Sequence, residues 1–141
     1  MTIREIFLAF AEEKEIPWGE LVLEPEGENH LCIHLLGRNN RFEGHAICLE
    51  EENLFVFYTL LGVRVPEEKR ESVSAFLLGL NYQLKTGSFF IEEETGELTV
   101  RTVQYMIGAD WEKQELMEQL VTDCGRTADY YYPTVMKQVF G

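Results

Sequence analysis

Residues 54–61 have the sequence LFVFYTLL, which is typical of a β-strand. Alternate side chains of a strand point to opposite faces of its sheet. One face carries Leu54, Val56, Tyr58 and Leu60, and the other carries Phe55, Phe57, Thr59 and Leu61. Both faces are apolar, whereas a strand with one solvated face alternates apolar with polar residues. The sheet that contains this strand must therefore be covered on both sides.

Two arrangements can cover both faces. In the first, the helices divide between the two faces or the sheet curls over itself, and no partner is needed. In the second, all helices pack on one face, and a second subunit or a bound client polypeptide covers the other. Burial of apolar surface stabilises a fold by about 25 cal/mol per Å². Phe side chains left exposed would therefore lose several kcal/mol of this stabilisation. The second arrangement predicts a dimer or protein-binding surface formed by Phe55, Phe57, Tyr58 and Leu60.

The apolar periodicity of the remaining chain predicts an α+β domain. Thr2 and Glu5 form a capping box before a helical stripe. The predicted elements are a helix at 2–14, an edge strand at 21–24, three strands within 30–61 with turns at 37–40 and 50–53, a helix at 67–85, a hairpin of strands 89–91 and 98–105, and a helix from Asp110 that Pro133 kinks or restarts. The order α-β(β)ββ-α-ββ-α over residues 1–141 predicts one antiparallel sheet with flanking helices.

The charge of the chain limits its partners. Twelve Lys and Arg residues against 25 Asp and Glu residues leave a net charge of −13, which repels phosphate backbones and anionic lipid head groups. We therefore expect binding neither to nucleic acid nor to membranes. The apolar runs are shorter than the roughly 20 residues that cross a bilayer, and residues 1–15 do not resemble a secretory signal. These features predict a cytoplasmic protein with reduced, buried cysteines at Cys32, Cys48 and Cys124.

Histidines and a cysteine alternate along one predicted strand, which raises the question of a metal site. His30, Cys32 and His34 share a face, but His30 and His34 lie about 13 Å apart along the strand, too far to bind one ion. A turn centred on residues 39–40 would place His34 opposite His45. This pair is a weak candidate for two metal ligands, and ordinary polar residues on a partly exposed face are the alternative.

Other chemistry-bearing residues have structural explanations. The carboxylates at 50–52 and 92–94 lie in predicted turns, where runs of charge are solvated. Cys124 lies on the buried stripe of the last helix, no Ser lies in a Gly-x-Ser-x-Gly elbow, and the glycines form no phosphate-binding loop. The sequence therefore predicts no catalytic residue and no cofactor.

Several short motifs in the second half of the chain occur in a distinctive order. They are Val65-Pro66-Glu67-Glu68-Lys69-Arg70, Leu80-Asn81, Gly87-Ser88-Phe89, Thr95-Gly96-Glu97-Leu98 with Arg101, and Asp129-Tyr130 with Tyr132-Pro133. On these motifs the chain resembles the bacterial YbjN family, whose fold is similar to that of the type III secretion chaperones. The resemblance implies a helix-flanked antiparallel sheet, often a dimer, and regulation of sensory transduction or chaperone-like binding.

Together, these observations predict a non-enzymatic homodimer that binds another, unknown polypeptide as a chaperone-like adaptor or regulator. The alternative is a small-molecule sensor or enzyme with a pocket between sheet and helices. That alternative predicts polar side chains converging in a closed cleft, and the sequence reveals none.

Overall fold

The computed structural model describes residues 1–13, 19–20 and 27–141. Within these ranges the chain forms three helices and six strands. They are α1 (Ile3–Glu13), β1 (Gly19–Glu20), β2 (His30–Leu36), β3 (Arg41–Leu49), β4 (Leu54–Arg64), α2 (Glu67–Gln83), β5 (Ser88–Ile91), β6 (Glu97–Tyr105) and α3 (Asp110–Phe140). The predicted α+β class and antiparallel sheet are confirmed. The strand predicted at 21–24 lies outside the described residues.

The strands form one sheet in the order β1-β2-β3-β4-β6-β5, and every pairing is antiparallel. The apolar strand β4 lies inside the sheet between β3 and β6. Consecutive strands β2, β3 and β4 form the predicted meander. Helix α2 separates β4 from the hairpin of β5 and β6, which brings β6 back beside β4.

All three helices contact the same face of the sheet. The Phe7 ring of α1 lies 5.7 Å from that of Phe55, and the Tyr131 ring of α3 lies 6.0 Å from that of Phe89. Helix α2 contributes three buried residues, Val73, Leu77 and Leu80, to the same core. The helices are therefore not divided between the two faces, and the core lies on one side of the sheet.

The position of Phe55 and Phe57 corrects one prediction. Both side chains are 0% exposed and lie under the helices, so their assignment to a dimer or client surface was wrong. Tight packing accounts for the burial of Phe57: a β-carbon on Gly44 of the neighbouring strand would lie 2.6 Å from its Cζ atom. Of the four predicted surface residues, only Tyr58 and Leu60 lie on the sheet face that the helices do not cover. Successive side chains of a strand point to opposite faces, so these four cannot share one surface.

Side chains from distant parts of the sequence hold the helix ends and turns. The Thr2–Glu5 capping box is present, with both backbone-to-side-chain hydrogen bonds at 3.0 Å. In addition, the Glu50 carboxylate accepts hydrogen bonds from the backbone N–H groups of Ile3 (2.8 Å) and Arg4 (3.0 Å). Glu50 is therefore a cap for α1, which satisfies unpaired donors of the first turn, and its prediction as a solvated turn residue was wrong.

The motifs that carried the family resemblance also have structural roles. Asn81 exchanges two hydrogen bonds with the backbone of Phe89, at 2.7 and 2.9 Å, and so joins α2 to β5. The Asp129 carboxylate of α3 accepts hydrogen bonds from the backbone N–H groups of Arg38 (3.0 Å) and Asn39 (2.8 Å) in the β2–β3 turn. These polar residues hold elements of the fold together and do not form a binding site.

Candidate functional site

The sheet face opposite the helices, here called the distal face, contains a groove of about 730 Å³. Its lining comes from strands β3, β4, β5 and β6 and the turn after β5. The lining residues are Glu43, His45, Ile47, Leu49, Val56, Tyr58, Leu60, Phe90, Glu92, Glu97, Thr99 and Arg101. Tyr58 and Leu60, two of the residues predicted from sequence to form a contact surface, lie in this groove.

The groove combines an apolar floor with a mostly acidic set of charges. Ile47, Leu49, Leu60 and Phe90 are only half-buried. The apolar surface continues along β6, where Val103 is 44% and Tyr105 58% exposed. Three carboxylates and one guanidinium are among the lining side chains. Such a surface suits a ligand that is partly apolar and positively charged.

Polar side chains of strands β2, β3 and β4 converge at the groove, and Glu43, His45 and Tyr58 are among its lining residues. His45 Nε2 lies 2.8 Å from Glu43 Oε1, and His45 Nδ1 lies 2.7 Å from His30 Nε2. Cys32 Sγ lies 3.5 Å from Glu43 Oε1 and 4.0 Å from His45 Nε2. The Tyr58 ring stacks on the His45 ring with centroids 4.9 Å apart and planes 7° apart. We call these five residues the His45 cluster.

The pairing of β2 with β3 explains which residues meet. Leu36 pairs with Arg41, Cys32 with His45, and His34 with Glu43. The predicted pairing of His34 with His45, proposed as two weak metal ligands, was therefore wrong by two residues. The turn is centred on residues 38–39, since the N–H of Gly37 donates to the carbonyl of Asn40 at 2.9 Å, and Asp129 holds the turn in this register.

The His45 cluster was missed at the sequence level, although part of its signal was present. The alternation of His30 and Cys32 on one face of a strand was noted, but Glu43 was not considered as a partner of His45. Only the observed register places these side chains within contact distance. A cluster of converging polar side chains, which the sequence did not reveal, is thus present. It lies on the distal face and not between sheet and helices.

The remaining cysteines are buried and structural. Burial raises the pKa of the Cys124 thiol to about 12, and Sγ lies 3.2 Å from the Thr59 hydroxyl. Burial, reinforced by the Glu50 charge, also raises the pKa of the Cys48 thiol to about 12. Both thiols stay protonated near neutral pH, so neither is suited to nucleophilic attack or metal binding. Cys32 differs because its Sγ lies among potential metal ligands.

In the described part of the chain, no helix has both the length and the apolar content that crossing a bilayer requires.

Comparison with known proteins identifies relatives of this chain. Residues 6–135 match the family model YbjN, described as "Putative bacterial sensory transduction regulator". Among solved structures, "Crystal structure of YbjN, a putative transcription regulator from E. coli" superimposes with a TM-score of 0.63 over 93% of this chain and 92% of that one, at 11% sequence identity. At this identity the similarity shows the fold alone. A search of curated proteins finds no match.

Proposed function

The chain belongs to the YbjN family, whose model matches residues 6–135 of its 141, and from this we propose that it is a regulator that binds another polypeptide on the distal face of its sheet. The family description supports the regulatory role. We propose further that it acts in the cytoplasm and without catalysing a reaction. The polypeptide partner is inferred from the groove.

One observation carries this proposal: the three helices contact one face of the sheet, and a groove with a half-buried apolar floor lies on the other. The floor is formed by strands, whose rigid backbone fixes the spacing of its side chains. An extended polypeptide has alternating side chains that match such a surface, since every second residue can contact the floor. The β4 residues Tyr58 and Leu60 line this contact region.

Charge indicates the chemistry of the partner. Glu43, Glu92 and Glu97 line the groove with Arg101 as the one cationic side chain among the residues that form it. The whole chain carries a net charge of −13. A second copy of the chain would bring like charges together, whereas a basic segment would be attracted. We therefore assign the groove to a basic, amphipathic segment of another protein, and the predicted homodimer becomes the competing occupant.

A binding experiment with a defined probe tests the assignment. The probe is a synthetic peptide of alternating lysine and valine, and its control replaces each lysine by glutamate. We expect the lysine peptide to bind in fluorescence anisotropy, with an affinity that falls as salt rises, and the glutamate peptide not to bind. Leu60→Ser should weaken binding at least about tenfold, because it removes apolar contact area from the floor.

A matched control keeps the test specific. Leu78 on α2 is 74% exposed, so Leu78→Ser removes an apolar side chain from a helix surface and should leave binding unchanged. Equal binding of both peptides, or equal effects of both substitutions, would contradict the proposal. Size-exclusion chromatography with light scattering supplies a further check. A stable dimer that Leu60→Ser dissociates would assign the groove to a second copy instead.

The His45 cluster favours a second candidate, a sensor for a small ligand. Convergent polar groups beside an apolar groove are a common feature of ligand sites. The nature of the ligand follows from the donor atoms.

A further inference from the structure

We propose that Cys32, Glu43 and His45 bind a divalent transition-metal ion, with zinc favoured by the donor set. Their ligand atoms, a thiol sulfur, a carboxylate oxygen and an imidazole nitrogen, all lie within 4.8 Å of one another. Sulfur, nitrogen and oxygen donors of these kinds are those that zinc uses in proteins. Glu43 and His45 also line the groove, but the metal titration uses no peptide, so its result can be distinguished from that of the peptide experiment.

The distances between the donor atoms fit one ion. Bonds of about 2.0–2.3 Å at tetrahedral angles place ligand atoms about 3.3–3.8 Å apart. Here Cys32 Sγ lies 3.5 Å from Glu43 Oε1 and 4.0 Å from His45 Nε2, and the latter two atoms lie 2.8 Å apart. The close pair is hydrogen-bonded in this structure. An ion between the three atoms would replace that hydrogen bond and requires side-chain shifts of about half an ångström.

The ligands lie on a rigid support. Cys32 and His45 are paired residues of adjacent strands and are 3% and 4% exposed, so their positions are determined by the sheet and by packing. The stacked Tyr58 ring fixes the plane of the His45 imidazole. Glu43 is the exposed ligand, with a side chain 46% accessible, and provides freedom for the bond lengths to adjust. Because Cys32 and His45 are already held in place and only Glu43 has to adjust, little conformational entropy is lost when an ion binds.

A hydrogen-bond partner for the His45 ring is already in place. Metal-binding histidines generally donate their other ring N–H to a neighbouring acceptor, which fixes the tautomer and the ring orientation. With the ion on Nε2 of His45, its Nδ1–H donates to Nε2 of His30, 2.7 Å away. The Tyr58 hydroxyl lies 3.5 Å from the same His30 nitrogen. His30 is therefore a positioning residue for the metal ligand.

The charge balance also favours a cation. A thiolate and a carboxylate compensate the two charges of the ion, and the strongly acidic chain raises the local concentration of cations. Three protein ligands leave a fourth coordination position for water or for a donor atom of another molecule. The site is thus of the kind that responds to metal supply or to a metal-binding ligand, in agreement with a sensory role.

Titration of the purified chain with zinc and cobalt tests the proposal. We expect one zinc ion per chain in competition with a chromophoric chelator. Cobalt should give a thiolate-to-metal charge-transfer band, which reports the Cys32 bond directly. Zinc should also raise the thermal midpoint of unfolding, because the ion binds the native state. Cys32→Ser should abolish the cobalt band, and Glu43→Gln should lower zinc affinity more than about a hundredfold, beyond the usual effect of replacing a residue that only hydrogen-bonds to a ligand.

Three further variants separate the ligand set from its surroundings. His30→Phe should weaken zinc binding by about ten- to a hundredfold while retaining the cobalt band, because His30 contacts the His45 ring and not the ion. His34→Gln and Cys48→Ala should leave binding unchanged, since His34 is not in the donor set and Cys48 lies on the helix-covered face. Glu43 is exposed, so its variant remains folded even if Cys32→Ser does not. Absence of zinc binding, or zinc affinity unaffected by Glu43→Gln, would overturn the proposal.

Discussion

Replacement of Phe57 and of Leu60 by alanine tests the two-faced structure of β4. The two residues belong to the same strand, but Phe57 is 0% exposed beneath the helices and Leu60 lines the groove on the distal face. The structure predicts a large loss of stability for Phe57→Ala and a small one for Leu60→Ala. An interface role for Phe57 predicts the reverse, with loss of association and a folded monomer.

The magnitude follows from burial. Truncation of a fully buried Phe to Ala costs about 3–5 kcal/mol, and the cost is larger where the surroundings cannot collapse into the cavity. The fully buried Phe57 ring packs on the backbone at Gly44, so we expect a loss of about 4 kcal/mol in the free energy of unfolding. Leu60 is half-buried, and half of the usual cost for Leu gives about 1–2 kcal/mol.

Urea unfolding followed by circular dichroism measures both values. With a slope of about 2 kcal/mol per molar urea, Phe57→Ala should lower the midpoint by about 2 M and Leu60→Ala by less than about 1 M. Association should be recorded for both variants by light scattering. A loss of less than about 1 kcal/mol for Phe57→Ala, or a larger loss for Leu60→Ala, would refute the assignment of the two faces.

Three other predictions concern the anchors of the fold and its buried thiols. Asp129→Ala should lower the free energy of unfolding by about 1–3 kcal/mol in urea, because two N–H groups of the 37–40 turn lose their acceptor, and an unchanged value would argue against this anchor. Glu50→Ala should cost about 1–2 kcal/mol and speed hydrogen exchange in the first turn of α1, whereas unchanged exchange would argue against the cap. Folding raises the pKa of Cys48 and Cys124 from 9.0 to about 12, so these two thiols add no pH dependence to the free energy of unfolding below about pH 8 and lower it as pH rises from 9 toward 12; a pH-independent urea midpoint between pH 9 and 12 would contradict this.

The order of elements could be predicted because it depends on local patterns. The capping box at Thr2, the stripe of α3 and the turn residues near 37–40 each specify a structure within a few positions of themselves. The apolar character of both faces of β4 could also be read from the sequence, since it depends on composition alone. The choice of face could not, because both faces of β4 are apolar and the sequence does not tell which one the helices cover. The face that the helices cover contains Phe57, and the face that they leave uncovered contains Leu60.

The His45 cluster shows where prediction from one strand at a time ends. The predicted pairing of β2 with β3 differed from the observed one by two residues, an even number, so each side chain was placed on its correct face. The same shift gave every side chain the wrong neighbour, and His45 was assigned to His34 instead of Cys32. Asp129, which is distant in sequence, holds the turn in the observed register through backbone N–H groups. A face is thus a property of one strand, whereas a binding site depends on long-range contacts that set how two strands meet.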